Sequence, residues 1–155
     1  MIRIPVTLAL RPGWEHVPDS YVSPVVSIGI SAMPVASADG TVTRNPPHNA
    51  LALVDTGADT IWADKKFLVQ IGAQKIGPSK AVTRTAQGDQ VLDEYAVFLH
   101  IPGMKPLPMR VAALPFDGDT RAYQVIMGMM FIKSGRLVID PQNESFLDLP
   151  ENFGR

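Results

Sequence analysis

The chain is expected to fold as a single all-β domain with one or two short helices. Three observations point there. Twelve glycines and fourteen prolines make about one residue in six, against about one in eight in average proteins. Short apolar, β-branched runs recur between turn signals. At 155 residues, 46% of them hydrophobic, the chain suits one compact domain and is too apolar to be disordered.

Residues 2–10 predict the first strand and residues 22–30 the second, with Val22, Val26, Ile28 and Ile30 on one face. Residues 33–49 read as a loop containing Asp39-Gly40 and Pro46-Pro47. Residues 51–54 are wholly apolar, as in a strand buried on both faces. Asp64 is placed to cap a helix over about residues 65–71, which Gly72 would end.

Runs 82–85 and 90–99 flank Ala86-Gln87-Gly88-Asp89, a hairpin tip. Residues 107–114 predict a strand that Pro108 confines to an edge or shortens to Met109 onward. Asp117-Gly118-Asp119 marks a polar loop. A strand at 125–127, a short helix at 129–133 and a hairpin of 137–140 with 145–149 complete the chain. No repeat or linker divides it.

Charge and composition exclude several classes. Fourteen Lys and Arg balance fifteen Asp and Glu, so the chain offers no global attraction to nucleic acid or an anionic membrane. Without cysteine there are no disulfides, thiol chemistry or cysteine-ligated metal. His16, His48 and His100 lack metal-ligand spacing, and neither metal nor cofactor is expected. The first ten residues carry Arg3 and Pro5 and do not form a signal peptide, and no apolar run reaches about 20 residues. A soluble, cytoplasmic protein is expected.

The chemistry concentrates where Leu53-Val54-Asp55-Thr56-Gly57-Ala58-Asp59 follows the apolar run. A carboxylate at the end of a buried strand is partly desolvated, a costly placement that is often functional. An ordinary Asp-Thr-Gly turn is the alternative. Further on, Ile126-Met127-Gly128 precedes the short helix, about 70 residues after the first segment.

Together these segments resemble the retroviral-type (retropepsin-like), single-lobe aspartic proteases over about residues 22–149. The resemblance implies a closed β-barrel acid-protease fold, with residues 1–21 as an N-terminal extension carrying an extra strand. It implies an aspartic endopeptidase in which Asp55, Thr56 and Gly57 form the catalytic segment. Ala58, Asp59 and the flap-tip residues Ala86, Gln87 and Gly88 would meet substrate. Ile126, Met127 and Gly128 would support the catalytic loop, and Trp62 would support the flap or pack in the core. Tyr95 would help cover substrate.

This mechanism needs two carboxylates sharing a proton, and the chain has one Asp-Thr-Gly. The expected unit is therefore a homodimer acting on a peptide or protein, with residues 2–10 pairing either at the sheet edge or across the dimer and the 137–149 hairpin as a second interface candidate. A dimeric peptide-binding module with weak or lost catalysis is the alternative. In the family an arginine follows the C-terminal glycine and pairs with the second acid. Here Met129 stands there, leaving Arg110, Arg121 or Arg136 as substitutes for a partner to Asp59.

Overall fold

The computed structural model describes residues 1–17, 22–85, 88–116 and 121–154, with the backbone alone over 79–85. In chain order the elements are β1 (Ile2–Pro5), β2 (Thr7–Leu10), β3 (Val22–Ala32), β4 (Val35–Ala36), β5 (Val42–Thr43), β6 (His48–Val54) and β7 (Ile61–Asp64). Helix α1 (Lys65–Gln70), β8 (Gln74–Thr85), β9 (Gly88–His100), β10 (Leu107–Leu114) and β11 (Val125–Met127) follow. Helix α2 (Met129–Ile132), β12 (Arg136–Val138) and β13 (Phe146–Leu149) end the chain. The protein is mostly β, and among the described residues no helix is long and apolar enough to cross a membrane.

Strand pairing returns on itself. The order β3–β6–β11–β7–β10–β9 is joined at its ends because β9 also pairs with β3, Ser31 opposite Phe98. Side chains of one parity point into this ring: Val26, Ile28 and Ile30; Ala50, Ala52 and Val54; Val125 and Met127; Ile61 and Ala63; Val97 and Leu99. All are buried in one core cluster. Burial of these side chains, each Val, Leu, Ile or Met contributing about 1.5–3 kcal/mol, drives formation of the ring.

Three elements differ from their sequence expectation. Residues 2–10 form two strands: β1 pairs with β13, and β2 pairs with β3. Pro5 has no N–H to continue the ladder, and Val6, turned inward, donates its N–H to Ser145 O at 2.9 Å. Val22 is exposed at the start of β3, where it pairs with Leu10, and Gly29 and Ser31, of opposite parity, are buried. Gly29 is covered by Pro47 and His100, whose Cβ atoms would lie 3.0 and 3.1 Å from an added Cβ. The run 51–54 alternates, with Ala52 and Val54 buried and Leu51 and Leu53 half-buried on the outer face.

The predicted 33–49 loop contains the small β4–β5 hairpin. Its turn is closed by Asp39, whose Oδ1 accepts from Thr41 N at 2.9 Å and Ser37 Oγ at 2.7 Å, with Gly40 at φ +82°. These bonds, led by the Thr41 N–H, pull the Asp39 carboxyl down to about 2.

Other expectations agree closely. Asp64 caps α1 by accepting from Lys66 N at 3.2 Å, and Gly72, at φ +75°, ends it. Strand β10 spans Leu107–Leu114. Its pairing with β7 begins only at Ala112, so Pro108 sits where one side of β10 has no partner strand in the ring.

The terminal sheet has the order β1–β13–β12. Both interface candidates are thus paired with each other inside one chain. Asp148, 5% exposed, receives Arg3 Nε at 2.9 Å, Arg3 Nη2 at 3.1 Å and Arg136 Nη2 at 3.1 Å. Both guanidinium groups lie over Phe146, 3.7 and 5.2 Å from its centroid. This charge-assisted clamp holds the Asp148 carboxyl below its usual value despite its burial.

Candidate active site

Strand β6 delivers Asp55. Its buried Ala52 and Val54 anchor the strand end, and Asp55 N donates to Met127 O at 3.0 Å, extending the parallel β6–β11 ladder by one residue. The chain then turns. Ala58 N donates to Asp55 O at 3.3 Å, and Gly57 N donates to Asp55 Oδ1 at 2.8 Å. A side-chain oxygen accepting from the backbone two residues on is an Asx turn, the local preference that makes Asp suit this position. Asp55 is half-exposed, and Thr56, Gly57 and Asp59 are exposed.

Strands β6 and β7 are consecutive in the chain but not neighbours in the sheet, because β11 lies between them. The 55–60 loop must therefore pass across the end of β11, and Gly128 sits beneath it. A Cβ on Gly128 would overlap the carbonyl oxygens of Ala58 and Thr60. Three successive donors bind the loop from below: Gly128 N to Thr60 O at 3.0 Å, Met129 N to Ala58 O at 2.7 Å and Met130 N to Asp59 O at 3.0 Å. The free N–H groups at the start of α2 are thereby satisfied by loop carbonyls.

The structure brings Asp55, Thr56, Gly57, Ala58 and Asp59 into one loop, with Ile126, Met127 and Gly128 at its base. Trp62 lies on the outer face of β7, opposite Ile126 on β11 and Ala112 on β10, while its neighbours Ile61 and Ala63 fill the core. The core placement weighed for Trp62 is therefore not the one it takes. Gly88 opens β9 opposite Thr85 at φ +111°, a backbone conformation that favours glycine. Ala86 and Gln87 lie outside the described residues. Tyr95 is buried in the core cluster, so it does not take the substrate-covering place expected of it.

None of the three arginines considered for Asp59 reaches it. Arg110 faces Glu94 at 3.6 Å, Arg121 bonds Tyr123 and Arg136 bonds Asp148. The Asp59 carboxylate has no partner among the described residues.

One contributor had no signal in the sequence. Gln124 N donates to Leu51 O and its Oε1 accepts from Leu51 N, both at 3.0 Å, while its own carbonyl accepts from Asp64 N at 2.8 Å. It ties β6 to β7 across the entry to β11. A lone glutamine before an apolar run carries no pattern that marks such a role. Among the described residues, no three His, Asp or Glu side chains are grouped to hold a metal.

No protein-family model and no curated protein matches the chain. Among solved structures it is similar to a retropepsin-like aspartic protease from Rickettsia conorii. The two are 17% identical with a TM-score of 0.45, over 96% of this chain and 89% of that one.

Proposed function

We propose that this chain is a homodimeric aspartic endopeptidase of the retropepsin type, the whole of 1–155 acting as one domain. The observation that carries the reading is the Asp55 loop. An Asp-Thr-Gly segment leaves a strand whose inner face is buried, one oxygen of its carboxylate is held by the Gly57 N–H, and the loop rests on a glycine that follows two apolar residues. The ring of strand pairings supports the closed acid-protease barrel. Ile4 and Val6, packed in the same core, support counting the N-terminal strands within the domain.

In this reading two Asp55 carboxylates meet across a two-fold axis and share one proton. The ionised one takes a proton from water. The water oxygen bonds to the peptide carbonyl carbon, the C–N bond breaks, and the protonated carboxyl gives its proton to the leaving amine. Thr56, exposed beside the axis, would bind the partner loop. Gly57, Ala58 and Asp59, with the flap tip at Ala86, Gln87 and Gly88, would hold the substrate extended as an added strand. Trp62, Ile126, Met127 and Gly128 would support the loop and flap.

Asp59, without a partner among the described residues, and Met129 in the arginine position favour a second reading, a dimeric peptide-binding module without catalysis. Cleavage of a peptide library from about pH 3 to 8 separates the two, with sedimentation to fix the oligomer. A cleaving dimer that loses about 10²–10⁴-fold on Asp55→Asn is the expected result. Cleavage surviving that substitution overturns the mechanism. A dimer that binds peptide without cutting it selects the module.

A further inference from the structure

A second site lies away from Asp55. A cleft of about 470 Å³ opens where β3 pairs with β9, with Val42 of β5 also lining it. Its position along β6 separates it from the candidate active site. Ile30 of β3 pairs with His48, and Asp55 lies seven residues further on, about 23 Å at strand rise.

The cleft joins two kinds of surface. Ala32, Val42 and Phe98 contribute to an apolar wall, and Arg44 and Lys105 stand among the lining residues. Among the described residues no Asp or Glu lines it and neither cation has a partner. At its floor Ser31, only 2% exposed, is fixed by His100, with Oγ and Nε2 2.8 Å apart. Concave, largely apolar clefts of about 300–1,000 Å³ with a few convergent polar groups are the form of small-ligand sites. Two cations beside an apolar chamber complement a ligand with a hydrocarbon or aromatic body and one carboxylate, which a guanidinium binds through paired hydrogen bonds.

We propose that this cleft binds an amphipathic carboxylate, with its apolar body against Phe98 and Ala32 and its carboxylate between Arg44 and Lys105. The ligand would span both strands of the seam that closes the ring, so its binding would raise the melting temperature. The proposal concerns binding alone and stands apart from whether Asp55 cleaves peptides.

Titration calorimetry on the full chain with 4-phenylbutyrate and with N-acetyl-Ala-Phe tests it and distinguishes a free acid from a peptide C-terminus as the source. The neutral amide of each is the control. At least one acid is expected to bind saturably, about tenfold or more tighter than its amide. The double variant Arg44→Gln, Lys105→Gln should lose that preference and leave amide binding unchanged. Because Val42 is exposed on a two-residue strand, Val42→Asp is a second, fold-tolerant variant. It sets a competing carboxylate beside the cations and should abolish acid binding. Three results overturn the proposal: no saturable binding of either acid, equal affinity for acid and amide, or wild-type acid binding by the double variant.

Discussion

Gly128 lies so close beneath Ala58 that a single added carbon would overlap the Ala58 carbonyl oxygen. This contact couples the C-terminal apolar-apolar-glycine segment to the Asp55 loop. Both neighbours are backbone, so neither can swing aside. Gly128→Ala is expected to lose about 1–3 kcal/mol or more of stability, the cost of forcing a carbon into packed structure. Urea denaturation measures it, and under the proposed function peptide cleavage should fall in the same variant.

Gly57 tests the Asp55 geometry with less effect on the fold. Its Cβ would sit 3.2 Å from Asp55 Oδ1, and the residue is exposed. Gly57→Ala is expected to change stability by no more than about 0.5 kcal/mol. Under the proposed function it lowers kcat by up to about 10²-fold, through displacement of the carboxylate. Unchanged kcat in a folded Gly57→Ala dimer would remove Gly57 from the positioning role.

Asp148 predicts a pH dependence with a definite sign. Its folded pKa is depressed below 3.8, chiefly by Arg3 and further by Arg136. A depressed carboxylate contributes stability that is fully present above its unfolded pKa and is lost as pH falls through the folded one. Asp148→Asn should therefore be less stable than wild type at neutral pH. The gap should narrow as pH drops below about 4. Denaturation midpoints of both proteins across that range check it, and a pH-independent gap would assign the effect to packing.

Asp39 should titrate well below the ordinary aspartate value of 3.8. Carbon-detected NMR is expected to place its midpoint at about 2. Its Ser37 hydrogen bond contributes to that shift, so Ser37→Ala should move the midpoint upward toward 3.8.

Phe131 is fully buried on α2 and stacks on Phe153 at 5.2 Å, whereas Phe153 is half-buried. Phe131→Ala is expected to cost about 3–5 kcal/mol, and Phe153→Ala clearly less. Equal losses would mean that the C-terminal segment packs more tightly than its exposure implies.

Local signals determined the features that local chemistry controls. The Asp64 cap and Gly72 stop of α1, the bounds of β10 and β11 and the Asp-Thr-Gly turn after an apolar strand are all legible in the amino acids, because each depends on neighbours within a few residues. The tertiary structure alone decided the rest. Four-residue β7 exists because β11 and β10 pair with it from both sides, and those strands lie tens of residues away in the chain. The same insertion of β11 between β6 and β7 sets Gly128 under Ala58, a contact between residues 70 apart. Tyr95 entered the core, residues 2–10 split between two sheets, and Asp59 has no arginine beside it among the described residues. Strand pairing over such separations is selected by the packing of the whole core rather than by any local pattern.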